Sequence, residues 1–483
     1  MIPVPVALPP LPDEQSAQTT FWRGQIVALA VLGAVTLIAL VLRPVGTLDF
    51  LIGLAIVSYL ISSGYKVYVL YMAARHGTPS YPPIDTDDAD LPVYTVLVPL
   101  FREAAVIPGL LDSLRSLDYA PDKLEVFFLL EEEDDETIEA CRNRQMPAHI
   151  KPLVVPQGYP KTKPRACNYG LAAATGDYLV IFDAEDRPEP AQLRKALAAF
   201  AASPPQVVCQ QAKLAYYNQR QNILTRFFTL DYANWFDGIL PGLTKLGAPI
   251  PLGGTSNHFR MQALRELGGW DPFNVAEDAD LGIRLTRAGY KTAVFDSVTM
   301  EEANSRVRSW IRQRSRWVKG YMQTLLVHTR RPRLLRKQLG LFNTISFAIL
   351  IGGTPLAALL NPIFWVLGII YYSTRSTAIE ALFVTPVYYM GLVCFLLGNF
   401  IFIYMNVFTA VRWGYDGLAK WALLSPLYWV LLSIASYQAL YELITNPHYW
   451  QKTTHGLTAH PAAAPTTVAA TVQAGAAQVQ GGP

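Results

Sequence analysis

Val180 to Pro190 reads VIFDAEDRPEP, an apolar run that ends on Asp183, Glu185 and Asp186. Carboxylates gathered at a strand end repel one another, and desolvation adds to that cost. Asp183 and Glu185 suit a divalent cation bridging a phosphorylated ligand, because Mg2+ or Mn2+ prefers such oxygen ligands and shares them with a diphosphate. One acidic exit of this kind also reads as a solvated turn. Asp186, just before Arg187-Pro188, reads as the cap of the next helix.

Two further stretches have chemical content. VAEDADLGIRLTRAGY (Val275 to Tyr290) sets Glu277, Asp278 and Asp280 before an amphipathic helix carrying Leu281, Ile283 and Leu285. Acids favour a helix N-terminus through its dipole, which accounts for Asp280. A transferase that activates a hydroxyl also needs one carboxylate as general base. In SWIRQRSRWVKGYMQT (Ser309 to Thr324), Gln313 and Arg316 share a helical face with Trp317 adjacent. Arg312, Arg314 and Lys319 make the segment basic and aromatic, which fits an interfacial helix but leaves the glutamine unexplained.

The elements that must position these residues are legible as strands and helices. YTVLVPL (Tyr94 to Leu100), EVFFLL (Glu125 to Leu130) and DYLVIF (Asp177 to Phe182) are runs of the kind buried on both faces of a sheet. Helical patterns such as VIPGLLDSLRSL and KPRACNYGLAAATG separate them, which predicts βαβ units and a mostly parallel sheet. Ligands of open α/β sheets gather outside the carboxyl ends of the strands. There the sequence places LFRE (Leu100 to Glu103), EEEDDE (Glu131 to Glu136) and DAED (Asp183 to Asp186), although an acid-rich loop such as EEEDDE is also commonly just solvated.

The chain has 483 residues, 51% hydrophobic and 16% charged, with a net charge of +3. That length fits two or three domains, and so small a net charge gives no argument for nucleic acid as partner. Cys141, Cys167, Cys209 and Cys394 lie far apart without a CxxC pair, which points to neither zinc nor disulfides and fits a reducing compartment. Ile26 to Leu42 and Phe50 to Ala73 are long enough to cross a bilayer, the second with Lys66 in its last third. Residues from about Tyr81 to Leu335 have soluble composition, and apolar blocks return at 339–373, 380–411 and 421–444. GGTP (Gly352 to Pro355) and Pro362 are expected to break the first block, leaving three or four C-terminal spans. Arg412 and Lys420, in one connecting loop, favour three. The Ala-, Thr- and Gly-rich tail from about Pro461 cannot bury a core and is expected to be disordered.

In this order the pieces resemble the membrane-embedded family 2 glycosyltransferases, which include cellulose, curdlan, hyaluronan and chitin synthases. Their pattern is D, DxD, TED and Q(Q/R)xRW on a GT-A fold followed by membrane helices. QRSRW (Gln313 to Trp317) matches the last motif, Glu277-Asp278 matches TED with alanine for threonine, and Asp183 to Glu185 matches DxD with glutamate in the second acid position. EEE (Glu131 to Glu133) stands where an early DD pair is usual. VPLFRE resembles the opening of such domains, KTKPRACN (Lys161 to Asn168) their basic segment near the nucleotide, and GGTSN (Gly253 to Asn257) their acceptor loop. WQKTTHG (Trp450 to Gly456) resembles a gating segment, which would put the tail on the catalytic side and call for four C-terminal spans. No cyclic-di-GMP-binding domain is expected after Gly456.

The resemblance implies an α/β GT-A-type (Rossmann-like) cytosolic domain inserted between transmembrane helices in a bacterial-type inner membrane. The implied divisions are an N-terminal segment 1–22, two spans in 23–75, a catalytic domain 85–305, interfacial helices 306–335, three to four spans in 339–446, a cytosolic segment 447–457 and a tail 458–483. It implies an inverting hexosyltransferase acting on a UDP-sugar, UDP-glucose first among the candidates, to extend and export a polysaccharide; the alternative is single addition to a lipid. The implied donor site is Glu103, Glu131, Glu132, Lys163, Arg165 and Asp183, with Mg2+ or Mn2+ on Asp183 and Glu185 and with Asp278 as base. Acceptor and diphosphate contacts fall on Gly254, Thr255, Asn257, Glu277, Gln313, Arg316 and Trp317, and the gating candidates are Trp450, Lys452 and Thr453. Membrane lipid, a second copy of the chain or accessory export proteins are compatible partners.

Overall fold

The computed structural model of the protein describes Leu8, residues 10–394 and residues 398–450. Lys452, Thr453 and the alanine-rich tail lie outside the described residues. One eight-stranded sheet organises the middle of the chain, in the order β3-β2-β1-β4-β7-β6-β8-β5. The strands are β1 (Tyr94–Leu100), β2 (Leu124–Glu131), β3 (Ile150–Val155), β4 (Tyr178–Ile181), β5 (Arg187–Pro188), β6 (Val207–Tyr216), β7 (Asn257–Arg260) and β8 (Lys291–Glu301). Along β1 and β2 alternate residues enter two separate cores. Leu97, Phe127 and Leu129 pack on one face, and Val96, Val98, Val126 and Phe128 on the other. This period of two is why both strands read as unbroken apolar runs.

β1 to β4 pair in parallel, as expected, and so do β6 and β8. β7 lies antiparallel between β4 and β6, and β5 antiparallel to β8, so the sheet is mixed. NHFR, the whole of β7, is too short and too polar to announce a strand. Its position has a consequence for the site. Ser256 N–H donates to the Ile181 carbonyl at 2.8 Å and the Thr255 hydroxyl to the same oxygen at 3.0 Å, which ties GGTSN to the end of β4.

Among the described residues, four helices are long and apolar enough to cross a membrane: Arg23–Leu42, Pro44–His76, a run over Pro332–Thr374, and Ser425–Thr445. The third does not break at GGTP. Gly340 interrupts it at φ 77°, a π turn spans Ala348–Gly352, and Gly353–Thr374 continues through Pro362. A π turn takes up an extra residue without stopping the helix, and proline is tolerated in membrane helices because neighbours satisfy the freed carbonyl. Lys66 is half-buried over the Phe402 ring at 5.4 Å. All four cysteines are free, three of them buried.

Ser425–Thr445 has an unusual path. Near its start the Tyr428 hydroxyl donates to Asp231 at 3.2 Å, on a helix of the sheet domain. Near its end Glu442 pairs with Lys319 of the QRSRW helix (Val307–His328) at 3.1 Å. Both ends therefore rest on the sheet domain or on the helix attached to it. The chain's beginning returns to the same place. Asp271 accepts from the Ser16 hydroxyl at 3.0 Å and from Ala17 N–H, while Arg330 donates to the Asp13 and Ser16 carbonyls and lies over the Trp22 ring.

Candidate active site

The three polar strand exits and the two later motifs meet around one cavity of about 920 Å3. Its walls include Glu103, Glu131, Lys163, Asp183, Glu185, Gly254, Thr255, Glu277, Asp278, Gln313, Arg316, Trp317 and Trp450. Of the residues expected at the site, Glu132, Arg165 and Asn257 do not line it. Glu132 is exposed and accepts from Gln157 N–H at 3.1 Å, while Glu133 takes the place in the wall. Arg165 stands behind the wall and pairs with Glu131 at 2.6 Å. The Asn257 side chain turns back to the Gly253 carbonyl at 2.5 Å and braces the loop.

Lys163 opens the helix Lys163–Ala173, and its ammonium is bonded to the Asp183 carboxylate and, at 2.8 Å, to the Gly254 carbonyl. Burial alone would lower the Lys163 pKa, but Asp183 and Glu277 beside it hold it above the ordinary value. Asp186 does not cap a helix. Its carboxylate accepts from Asp183 N–H at 2.7 Å and from the Thr255 hydroxyl, closing the turn that presents Asp183 and Glu185. Burial, then Asp183 and Glu185, push the Asp186 pKa well above the usual carboxylate range. Glu301, at the end of β8, is raised in the same way by burial, with Asp186, Glu185 and Asp183 adding to it.

Asp278 lies in the first turn of Glu277–Arg287 and accepts its own helix's Ala279 N–H at 2.7 Å. Burial raises its pKa, opposed by that N–H and by Lys163 and Arg316. Glu277 is pushed up to about 8 by burial and by Asp278. A Cβ on Gly254 would stand 3.3 Å from the Asp278 carboxylate, so the loop passes directly over the acid. Asp280 is separate from this group, buried between Arg284 at 2.8 Å and His328 at 3.1 Å.

The QRSRW helix reaches the acids because Gly320 lets it sit on Ala276. A Cβ there would lie 2.3 Å from the Ala276 side chain, so any larger residue would lift the helix away. Arg316 then donates to the Val275 carbonyl at 3.3 Å, and its guanidinium lies 4.4 Å from the centre of the Trp450 ring. Burial lowers the Arg316 pKa, with Glu277, Asp278 and Asp183 opposing. Trp317 faces Tyr232 in a stacked arrangement, with ring centres 6.2 Å apart. Arg314 pairs with Asp231 among Phe228, Trp310 and Tyr428, and its guanidinium also lies 4.6 Å from the centre of the Trp317 ring.

Several wall residues carry no sequence motif: Tyr216, Tyr232, Glu301 and His448. His448 is held between the Phe273 and Gln18 carbonyls, each at 3.1 Å, so the chain's first described segment supports the wall from behind. Only the polar end of β8 hints at Glu301.

Among the described residues no three acidic, histidine or cysteine side chains are gathered closely enough to hold a metal by themselves. The donor set still fits a divalent cation. Asp183, Glu185 and Asp186 are near enough to raise the Glu301 pKa, and the buried Asp186 keeps one carboxylate oxygen without a partner. Two carboxylates completed by diphosphate oxygens and water match what Mg2+ requires.

The sequence model of the family described as "Glycosyl transferase family group 2" matches residues 178–440. A probable glycosyltransferase of Bacillus subtilis is 28% identical over 240 residues, 49% of this chain and 57% of that protein. The beta-monoglucosyldiacylglycerol synthase of Synechocystis is 29% identical over 281 residues, 56% of this chain and 58% of the other. A cellulose synthase catalytic subunit of Komagataeibacter xylinus is 27% identical over 320 residues, 62% of this chain and 41% of the other. The chain thus spans about half the length of the curated relatives it matches. A Pyrobaculum calidifontis mannosyltransferase solved with GDP-Man and Mn2+ is similar at 22% identity and a TM-score of 0.45, over 73% of this chain and 99% of that one.

Proposed function

Given that the chain belongs to glycosyl transferase family group 2, we propose that it is an inverting β-glycosyltransferase that uses a UDP-sugar, UDP-glucose first, to extend a polysaccharide and pass it across the membrane. One observation carries this reading: Asp278, Asp183, Arg316 and Trp317 share a single cavity. In it Asp278 takes the proton from the acceptor hydroxyl. The freed oxygen attacks the anomeric carbon on the face opposite the leaving diphosphate, so configuration inverts. Arg316 and Lys163 meet the charge that develops on the diphosphate, a preorganised electrostatic role. Trp317, backed by Tyr232, offers the acceptor ring a flat face. Glu103, Glu131 and Glu133 border the nucleoside end of the cavity, with Arg165 bracing Glu131. Asp183 and Glu185 would hold Mg2+ or Mn2+, which when bound supplies positive charge against the leaving group.

In the membrane frame that fits this reading, Arg23–Leu42 and Pro44–His76 cross as a pair, Pro332–Thr374 leaves the catalytic side as one span where two were open, and Asn399–Arg412 ends against the catalytic side, with Thr409 bonded to Asn234 at 3.3 Å. Ser425–Thr445 then lies along the interface beside the QRSRW helix, since both its ends contact the catalytic side. The catalytic domain is cytosolic in a bacterial-type inner membrane.

A second reading is single addition to a lipid, favoured by the likeness to the beta-monoglucosyldiacylglycerol synthase. A panel of nucleotide sugars offered to membranes holding the protein, with nucleotide release measured and any product sized and linkage-analysed, separates the two. Long β-linked glycan supports the first, and a short lipid-bound product the second. Equal nucleotide release by the wild-type and Asp278→Asn proteins would defeat both.

A further inference from the structure

A second cavity, of about 560 Å3, opens between the QRSRW helix and Ser425–Thr445. Asn446 and Tyr449 line both it and the catalytic cavity. Arg308, Ile311 and Arg312 form one wall, and Ile434, Gln438 and Glu442 the other. Arg308 and Arg312 stand one helical turn apart on the same face. Both are exposed, and among the described residues neither has an ion pair or hydrogen bond. Glu442, the one acid among the described residues of the groove, is already committed to Lys319 at 3.1 Å and to Gln438 at 2.7 Å. Two positive charges are therefore left without a partner among the described residues.

Beyond Ile434, the apolar member of the second wall, the surface is apolar. Beside the groove Ser425–Thr445 exposes Leu427, Val430, Ile434, Tyr437, Tyr441 and Ile444, with Tyr441 and Ile444 each 68% exposed. A cationic wall with an exposed apolar stripe beside the groove has the complementarity of an anionic lipid, phosphate at the one and acyl chain on the other. We propose that this groove holds the headgroup of an anionic phospholipid, with Arg308 and Arg312 on the phosphate oxygens and the acyl chains over Ile434 and its exposed neighbours. Guanidinium groups suit phosphate because their donors are planar and paired. The lipid is neither donor nor acceptor in the transfer reaction. It bears on the reaction through Asn446 and Tyr449, whose segment carries Trp450 into the catalytic cavity.

The test is lipid retention by the full chain in detergent, read by native mass spectrometry with phosphatidylglycerol and phosphatidylcholine supplied together. This measures binding, so its outcome does not depend on the transfer reaction. The wild-type protein is expected to retain phosphatidylglycerol in preference by about tenfold, and Arg308→Gln/Arg312→Gln to lose that preference. Arg308→Lys/Arg312→Lys should keep part of it, showing that the altered surface still folds. Undiminished preference in the glutamine variant overturns the proposal. Displacement of the phospholipid by millimolar inorganic phosphate would make this a free-anion site and also overturn it.

Discussion

The Arg316 guanidinium lies 4.4 Å from the centre of the Trp450 ring, so the arginine of QRSRW is held from one side by the segment that follows the last described helix. A cation over an indole contributes about 0.5–1 kcal/mol when exposed and ~2 kcal/mol when desolvated. Trp450→Ala should therefore lower kcat/KM for nucleotide release by roughly 2- to 30-fold. Trp450→Phe should recover most of that loss. Equal activity in all three proteins would show that the ring contributes nothing to Arg316.

Asp278 and the Gly254 loop can be separated by kinetics. Asp278→Asn should lower kcat by about 10²- to 10⁴-fold, the usual range for a lost general base. Gly254→Ala puts a methyl group 3.3 Å from the Asp278 carboxylate, which must then shift by a few tenths of an ångström. The expected cost is roughly tenfold in kcat with little change in donor affinity. A Gly254→Ala protein that loses donor binding instead would assign the loop to the donor rather than to the base.

Glu277 gives a prediction about pH and stability. Its pKa rises from 4.5 to about 8 on burial. The folded protein thus binds this proton more tightly than the unfolded chain does. The group's contribution to stability is complete below pH 4.5 and is lost as the pH rises through about 8. Glu277→Gln, which stays neutral, should be more stable than wild type at pH 8 by about 1–3 kcal/mol, with the gap closing towards pH 5. Thermal unfolding in detergent at several pH values reads this directly. A gap that widens on acidification would contradict it.

Glu185 tests the cation site. Chelation should reduce transfer to background, and added Mg2+ or Mn2+ should restore it. Glu185→Gln should need roughly tenfold more metal for half-maximal rate, in line with the loss of one of two carboxylate ligands. A variant with unchanged metal demand would leave Asp183 alone in that role.

The central strands and the order of motifs were legible because each rests on a local rule. β1, β2 and β4 read as apolar runs, and their polar exits read as the binding edge. Proximity across the sheet was not legible. Glu301 and Tyr216 enter the cavity from β8 and β6, far along the chain, and no spacing rule links them to Asp183. Glu132 and Glu133 are neighbours with different partners, Gln157 N–H for Glu132 and the Lys161 ammonium for Glu133, and no local pattern distinguishes them. β7 stayed hidden because four mixed residues take their register from β4 and β6 on either side rather than from any pattern of their own. The path of Ser425–Thr445 was equally hidden, since composition reports whether a helix tolerates lipid and not which way it runs.

His448 joins the Gln18 and Phe273 carbonyls, and Asp271 holds Ser16 and Ala17. A soluble fragment cut to begin at the first strand would lack the residues that brace the cavity from behind, and so would not reproduce the cavity seen in this chain. An affinity tag fused directly ahead of Asp13 would also load a working wall. Purification handles and crystallisation trims belong elsewhere on this molecule.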